Sequence, residues 1–171
     1  MAVDLTLKST AITNREATPA VHNNPGAGGA GIMKQAYGHL ASVTAALSAT
    51  SVIRMVEIPS NAVVTSVRVS SGAQTAGKFD VGLYRTNRDG GAAVDQDFFT
   101  TDLDCASAVI DQECVMKATS ANTIAKRSQP IWQAAGMSAD PKCMLDVCLT
   151  VHTTDVTTGT GAVGCLVTYV A

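Results

Sequence analysis

From Val52 to the C-terminus the chain repeats one pattern: short runs of alternating apolar and polar side chains, separated by clusters of Gly, Pro, Asn, Asp and Ser. A period of two sends successive side chains to opposite faces of an extended strand, so each run reads as a strand with one face toward a core. In 62–70, Val63, Val67 and Val69 share a face with Thr65, and Ser66, Arg68 and Ser70 take the other. Phe79, Val81 and Leu83 oppose Asp80, Gly82 and Tyr84 in the same way. The last two runs are the strongest. Leu145, Val147, Leu149 and Val151 line one face of 144–152, and Val163, Cys165, Val167 and Tyr169 one face of 162–170.

Weaker signals fill the gaps. Residues 34–40 and 52–58 read as strands, with the turn cluster Pro59-Ser60-Asn61 joining 52–58 to the next run. A strand over 97–101 and weaker strands around 107–118 follow the loop NRDGGA. In SQPIWQAAGM, Ser128 is placed to cap a short helix, Pro130 suits its first turn and Gly136 its exit. HTTDVTTGTG, between the last two strands, reads as a hairpin-type loop. About eight strands with turns at short intervals and almost no helix predict an all-β fold. The expected form is an antiparallel two-sheet β-sandwich, jelly-roll-like, over 34–171.

Residues 1–33 differ. They carry few large apolar side chains, two prolines (Pro19, Pro25) and the tract HNNPGAGGAG, too little apolar area to offset the entropy of ordering. They are expected to form an extended N-terminal arm that orders against a partner.

Composition narrows the function. With 15% charged residues and a net charge of −2, the chain lacks the electrostatic drive for sequence-independent nucleic-acid binding. The N-terminus MAVDLTLKST has no basic region followed by an apolar core, and no run approaches the ~20 apolar residues of a membrane span, so neither nucleic acid nor membrane is an expected partner. Five cysteines, an odd number with no CxxC and no His at zinc-ligand spacing, suit a reduced, intracellularly made chain.

No constellation for catalysis assembles in the sequence. GAGGAG at Gly26–Gly31 matches the dinucleotide fingerprint in letters, but no strand precedes it and no acidic residue lies between Glu16 and Glu57 to hold a ribose. Asn87, Asp89, Asp95 and Asp97 offer oxygens to a hard cation, yet Asn, Asp and Gly are also what turns use. The histidines are His22, His39 and His152; His152 and Cys148 sit four apart on one strand face, about 13 Å, too far for a dyad. Asp80 and Asp146 lie mid-strand opposite the apolar faces and are expected as neighbours across a sheet. A carboxylate pair suits glycoside chemistry, but Trp132, Tyr37, Tyr84 and Tyr169 are few for a sugar platform. Cys148 and Cys165 read as small buried apolar residues. No catalytic, cofactor-binding or metal-ligating residue is assigned, and no cofactor is expected.

The stretches VEIPSNAVVTSVRVSSGA, FDVGLYRTNRDGGAAVDQDFF and QPIWQAAGMSADPKCMLDVCLTV resemble a family of small structural proteins of tailed bacteriophages, the capsid decoration or cement proteins. The resemblance rests on IPSNA as an inter-strand turn, DVGLYR as a core strand, the DGG loop and the Trp-bearing helix. It implies a non-enzymatic virion protein made in the bacterial host cytoplasm. Such a protein binds the phage major capsid protein on the capsid exterior, bridges capsomers and self-associates as a dimer or trimer. Two other classes remain open on the residues alone: a carbohydrate-binding sandwich module, and a sandwich hydrolase using Asp80 or Asp146.

Overall fold

A computed structural model of the protein describes residues 18–19, 32–43, 47–74, 77–115, 123–152 and 161–171; the Gly26–Gly31 tract, His22 and nearly all of the expected arm lie outside them. Among the described residues eight strands form two sheets: β1 (Met33–Leu40), β2 (Val52–Pro59), β3 (Val63–Ser71), β4 (Lys78–Arg85), β5 (Ala93–Asp104), β6 (Val109–Glu113), β7 (Met144–Val151) and β8 (Val163–Val170). One sheet has the order β1-β8-β3-β6 and the other β2-β7-β4-β5. The first strand pairs with the last, the second with the second-last, and so inward to β4 with β5, always antiparallel. That is one long hairpin, four strands out and four back, rolled so that successive rungs fall in opposite sheets: a jelly roll. It also corrects one expectation. β7 and β8 belong to different sheets, so the connection after His152 crosses between layers instead of closing a hairpin; its residues 153–160 are outside the described residues.

Most of the predicted inward residues form the core; in β3 a register shift between Val64 and Ser66 places Val64 there in the stead of the expected Val63. Phe79, Val81, Leu83, Leu145, Val147, Leu149, Val67, Val69, Val163, Cys165 and Val167 are all buried. Phe98 and Phe99 are also both buried, edge to face with centroids 4.9 Å apart. Consecutive residues of a regular strand point to opposite sides, and β5 is far from regular. Between the pairs Val81–Thr100 and Leu83–Asp95, β4 advances two residues while β5 advances five. The surplus chain arches over β4, and the carbonyl oxygens of Gln96 and Asp95 come to 2.1 and 2.3 Å from where a Cβ on Gly82 would stand. Only glycine permits that approach.

The helix α1 is a single turn, Ile131–Ala134. Pro130 precedes it and Gly136, at φ +78°, ends it as expected. Ser128 does not cap it: no side chain does. The amides of Ile131 and Trp132 donate instead to the carbonyls of Ala62 and Ser60, so the β2–β3 turn supplies the acceptors that a cap would have given.

Replacing Gly82 by Ala is expected to cost about 1–3 kcal/mol through overpacking against the β5 arch, read as a lower urea midpoint with an unchanged slope.

Candidate functional site

The outer face of the β2-β7-β4-β5 sheet is where the sequence places Asp80, Gly82 and Tyr84 of β4 and Asp146, Cys148 and Thr150 of β7. All six are buried, so β4 and β7 are enclosed on both sides. Register separates the two carboxylates expected as neighbours: Asp80 pairs with Thr150 and Tyr84 with Asp146. Four residues of strand, about 13 Å, therefore lie between them, too far for the ~5–9.5 Å carboxyl spacing of glycosidases.

Asp80 is the more enclosed, with its side chain 3% exposed. It accepts hydrogen bonds from Gln96 Nε2 (3.1 Å), Thr101 Oγ1 (3.0 Å) and the Asp102 amide (2.9 Å), and His152 Nδ1 stands 2.8 and 2.9 Å from its two oxygens. Burial alone would raise its pKa; the contacts to His152, Asp102, Gln96 and Thr101 outweigh it, and the carboxyl titrates below its ordinary value of 3.8. His152 is brought there by its own amide, which donates to Lys78 O at the start of β4. The His152–Asp80 pair has the form of half a catalytic triad. Among the described residues no hydroxyl or thiol is hydrogen-bonded to His152 to complete it.

At the other end of this face, Arg54 ties down Asp146. It stands beside the bulge of β2 that falls between Arg54 and Val56. Its Nη1 donates to Asp146 Oδ2 (2.5 Å) and Arg85 O (2.8 Å), and its Nη2 to Gly91 O (2.8 Å). The guanidinium also lies 5.8 Å from the centre of the Tyr84 ring. Tyr84 Oη and Thr150 Oγ1 share a 2.7 Å hydrogen bond between these ends. Burial pushes the Cys148 and Cys165 thiols up to about 12, which leaves them protonated and inert as nucleophiles.

The acidic loop residues divide by role. Asp89 accepts from Thr86 Oγ1 at 2.7 Å inside the 3-10 turn Asn87–Asp89, which Gly90 ends at φ +89°. Asp95 and Asp97 belong to β5, where burial and the neighbouring Asp97 carboxyl raise the Asp95 pKa. Among the described residues no three His, Cys, Asp or Glu side chains are grouped to hold a metal ion.

The opposite outer face, on β1-β8-β3-β6, is open. Met33, Tyr37 and Ile110 are 65%, 66% and 86% exposed. Tyr37 stacks on His39, ring centroids 6.4 Å apart, and its hydroxyl lies over Gly164. A shallow groove of about 390 Å³ runs between Tyr37 and His39 on one side and Val109 and Ile110 on the other, floored by Ser70 and Gly164. The sequence signal for this face was faint, because β1 and β6 carry no clean alternation.

No family model matches the sequence, and no curated protein does. Two solved structures share the fold. A chain of the capsid asymmetric unit of cyanophage Pam1 superposes with a TM-score of 0.50 at 15% identity, over 91% of this chain and 96% of that one. A chain from the capsid of Ralstonia phage GP4 gives 0.57 at 15% identity, over 82% and 85%.

Two substitutions test the polar face. Arg54→Ala strips a partly buried carboxylate of its counter-charge and is expected to cost about 2 kcal/mol. For Asp80, a lowered folded-state pKa means the carboxylate stabilises fully above 3.8 and loses that contribution as pH falls through the lower folded value. Asp80→Asn should therefore flatten the acid limb of a melting-temperature profile; a profile parallel to the wild type's would contradict the assignment.

Proposed function

We propose that this chain is a non-enzymatic structural protein of a phage virion that binds the outer surface of the capsid and cements neighbouring capsomers. The observation that carries the reading is the near full-length likeness of its fold to chains in two phage capsids. The sequence resemblance to decoration proteins supports it independently. So does the chemistry of the β2-β7-β4-β5 face, where Asp80 and Asp146 are consumed by contacts inside the protein and Cys148 is held protonated.

In this reading the partner is the phage major capsid protein, and the protein sits on the capsid exterior after synthesis in the host cytoplasm. A rigid sandwich loses little entropy on docking. The leading 33 residues add contact area by ordering on the assembly, and many copies on one shell multiply modest contacts. Self-association as a dimer or trimer matches the symmetric seats a shell offers. The exposed Met33, Tyr37 and Ile110 supply apolar area for such contacts.

Mass spectrometry of purified particles is expected to find the chain at a copy number commensurate with the capsid lattice. Deleting residues 2–30 should lower that occupancy; undiminished occupancy would remove the arm from attachment, and absence of the full chain from particles would overturn the reading.

A further inference from the structure

The four edge strands of the sandwich are not equally defended. Strand edges invite pairing with other chains, and proteins blunt them with bulges, prolines and charges. β2 has the bulge after Arg54 and ends in Pro59. β5 has three register shifts and carries Asp102 at φ +58°. β6 has a register shift against β3 and carries Asp111 at φ +54°. β1 has no register shift, no proline and no left-handed residue. It pairs with β8 over eight consecutive positions without a shift, and Lys34 is its one formal charge. Beneath it the Met55 carbonyl comes to 2.0 Å from where a Cβ on Gly38 would stand, so the opposite sheet braces the strand from inside. Among the described residues no strand lies along its outer edge.

The sequence contains a segment that fits this edge. Val3-Asp4-Leu5-Thr6-Leu7-Lys8, outside the described residues, alternates apolar and polar with the period of a strand. Charge matching sets the facing. Seating Asp4 on the side of Lys34 places Val3, Leu5 and Leu7 on the side of the exposed Met33 and Tyr37, whichever direction the segment runs. Residues 9–31 can span roughly 75 Å when extended, several times the length of an eight-residue strand.

We propose that the free edge of β1 receives residues 3–8 of a neighbouring copy, added as a fifth strand to the β1-β8-β3-β6 sheet. The exchange deepens the structural reading above, on which it rests, by naming the seat of the arm: each copy lends a strand to the next, and a ring of such loans closes by symmetry.

The test uses the full-length chain. Affinity-tagged Leu5→Cys is mixed with untagged Tyr37→Cys, oxidised mildly and run on a non-reducing gel. A tagged-to-untagged disulfide pair is expected, lost on reduction and absent when Arg88→Cys, exposed on the other sheet's loop, replaces Tyr37→Cys. Tyr37 is 66% exposed, so its replacement leaves the core intact. A pair no more abundant than with Arg88→Cys overturns the proposal, as does a double variant Leu5→Cys/Tyr37→Cys that cross-links only within one chain. Particle occupancy is read separately, so a failed cross-link beside normal occupancy sinks the exchange alone and leaves the virion reading in place.

Discussion

Seven consecutive backbone pairs between β4 and β7, without a register shift, fix the middle of one sheet. Both strands are buried on both faces, so a slip of one residue would turn Phe79, Val81 and Leu83 out of the core and drive Asp80 and Tyr84 into it. The same register sets the polar face. It places Asp80 beside Thr150 and near the strand end that delivers His152, and it places Asp146 beside Tyr84 and within reach of Arg54. Core and outer face are two consequences of one pairing.

Covering that outer face demands unusual local structure. A buried carboxylate is costly unless it is hydrogen-bonded, and both carboxylates here are served from outside their own strands. The surplus residues of β5 bring Gln96 and Thr101 to Asp80, and the irregular edge of β2 brings Arg54 to Asp146. Groups whose types suggest chemistry are thereby turned into structural ties. What faces outward is the other sheet, with its exposed aromatic and aliphatic side chains and, among the described residues, one edge without a register shift.

Much of this was legible in the sequence. Strict alternation marked β4, β7 and β8 and their inward residues, and β3 beyond its bulge, because successive side chains of a strand point to opposite faces. Pro130 and Gly136 marked the helical turn. Partnership was not legible: alternation says which way a side chain points along its own strand, and nothing about which strand lies beside it. Hence Asp80 and Asp146 were expected as neighbours and are not, and the His152–Asp80 contact was missed. β5 was read as 97–101 where it spans Ala93–Asp104, since Asp95, Gln96 and Asp97 give no apolar face. Ser128 was expected to cap a helix whose first amides bond to the β2–β3 turn, a long-range contact that local spacing does not encode.

The central claim is that a finished sandwich acts by occupying seats on a larger assembly. Adding the purified chain to particles stripped of it, and following bound copies together with the temperature at which the particles disrupt, tests this most directly. The account predicts saturable rebinding at a fixed ratio to the capsid subunit and a higher disruption temperature. Particles that neither take up the chain nor gain stability from it would contradict it.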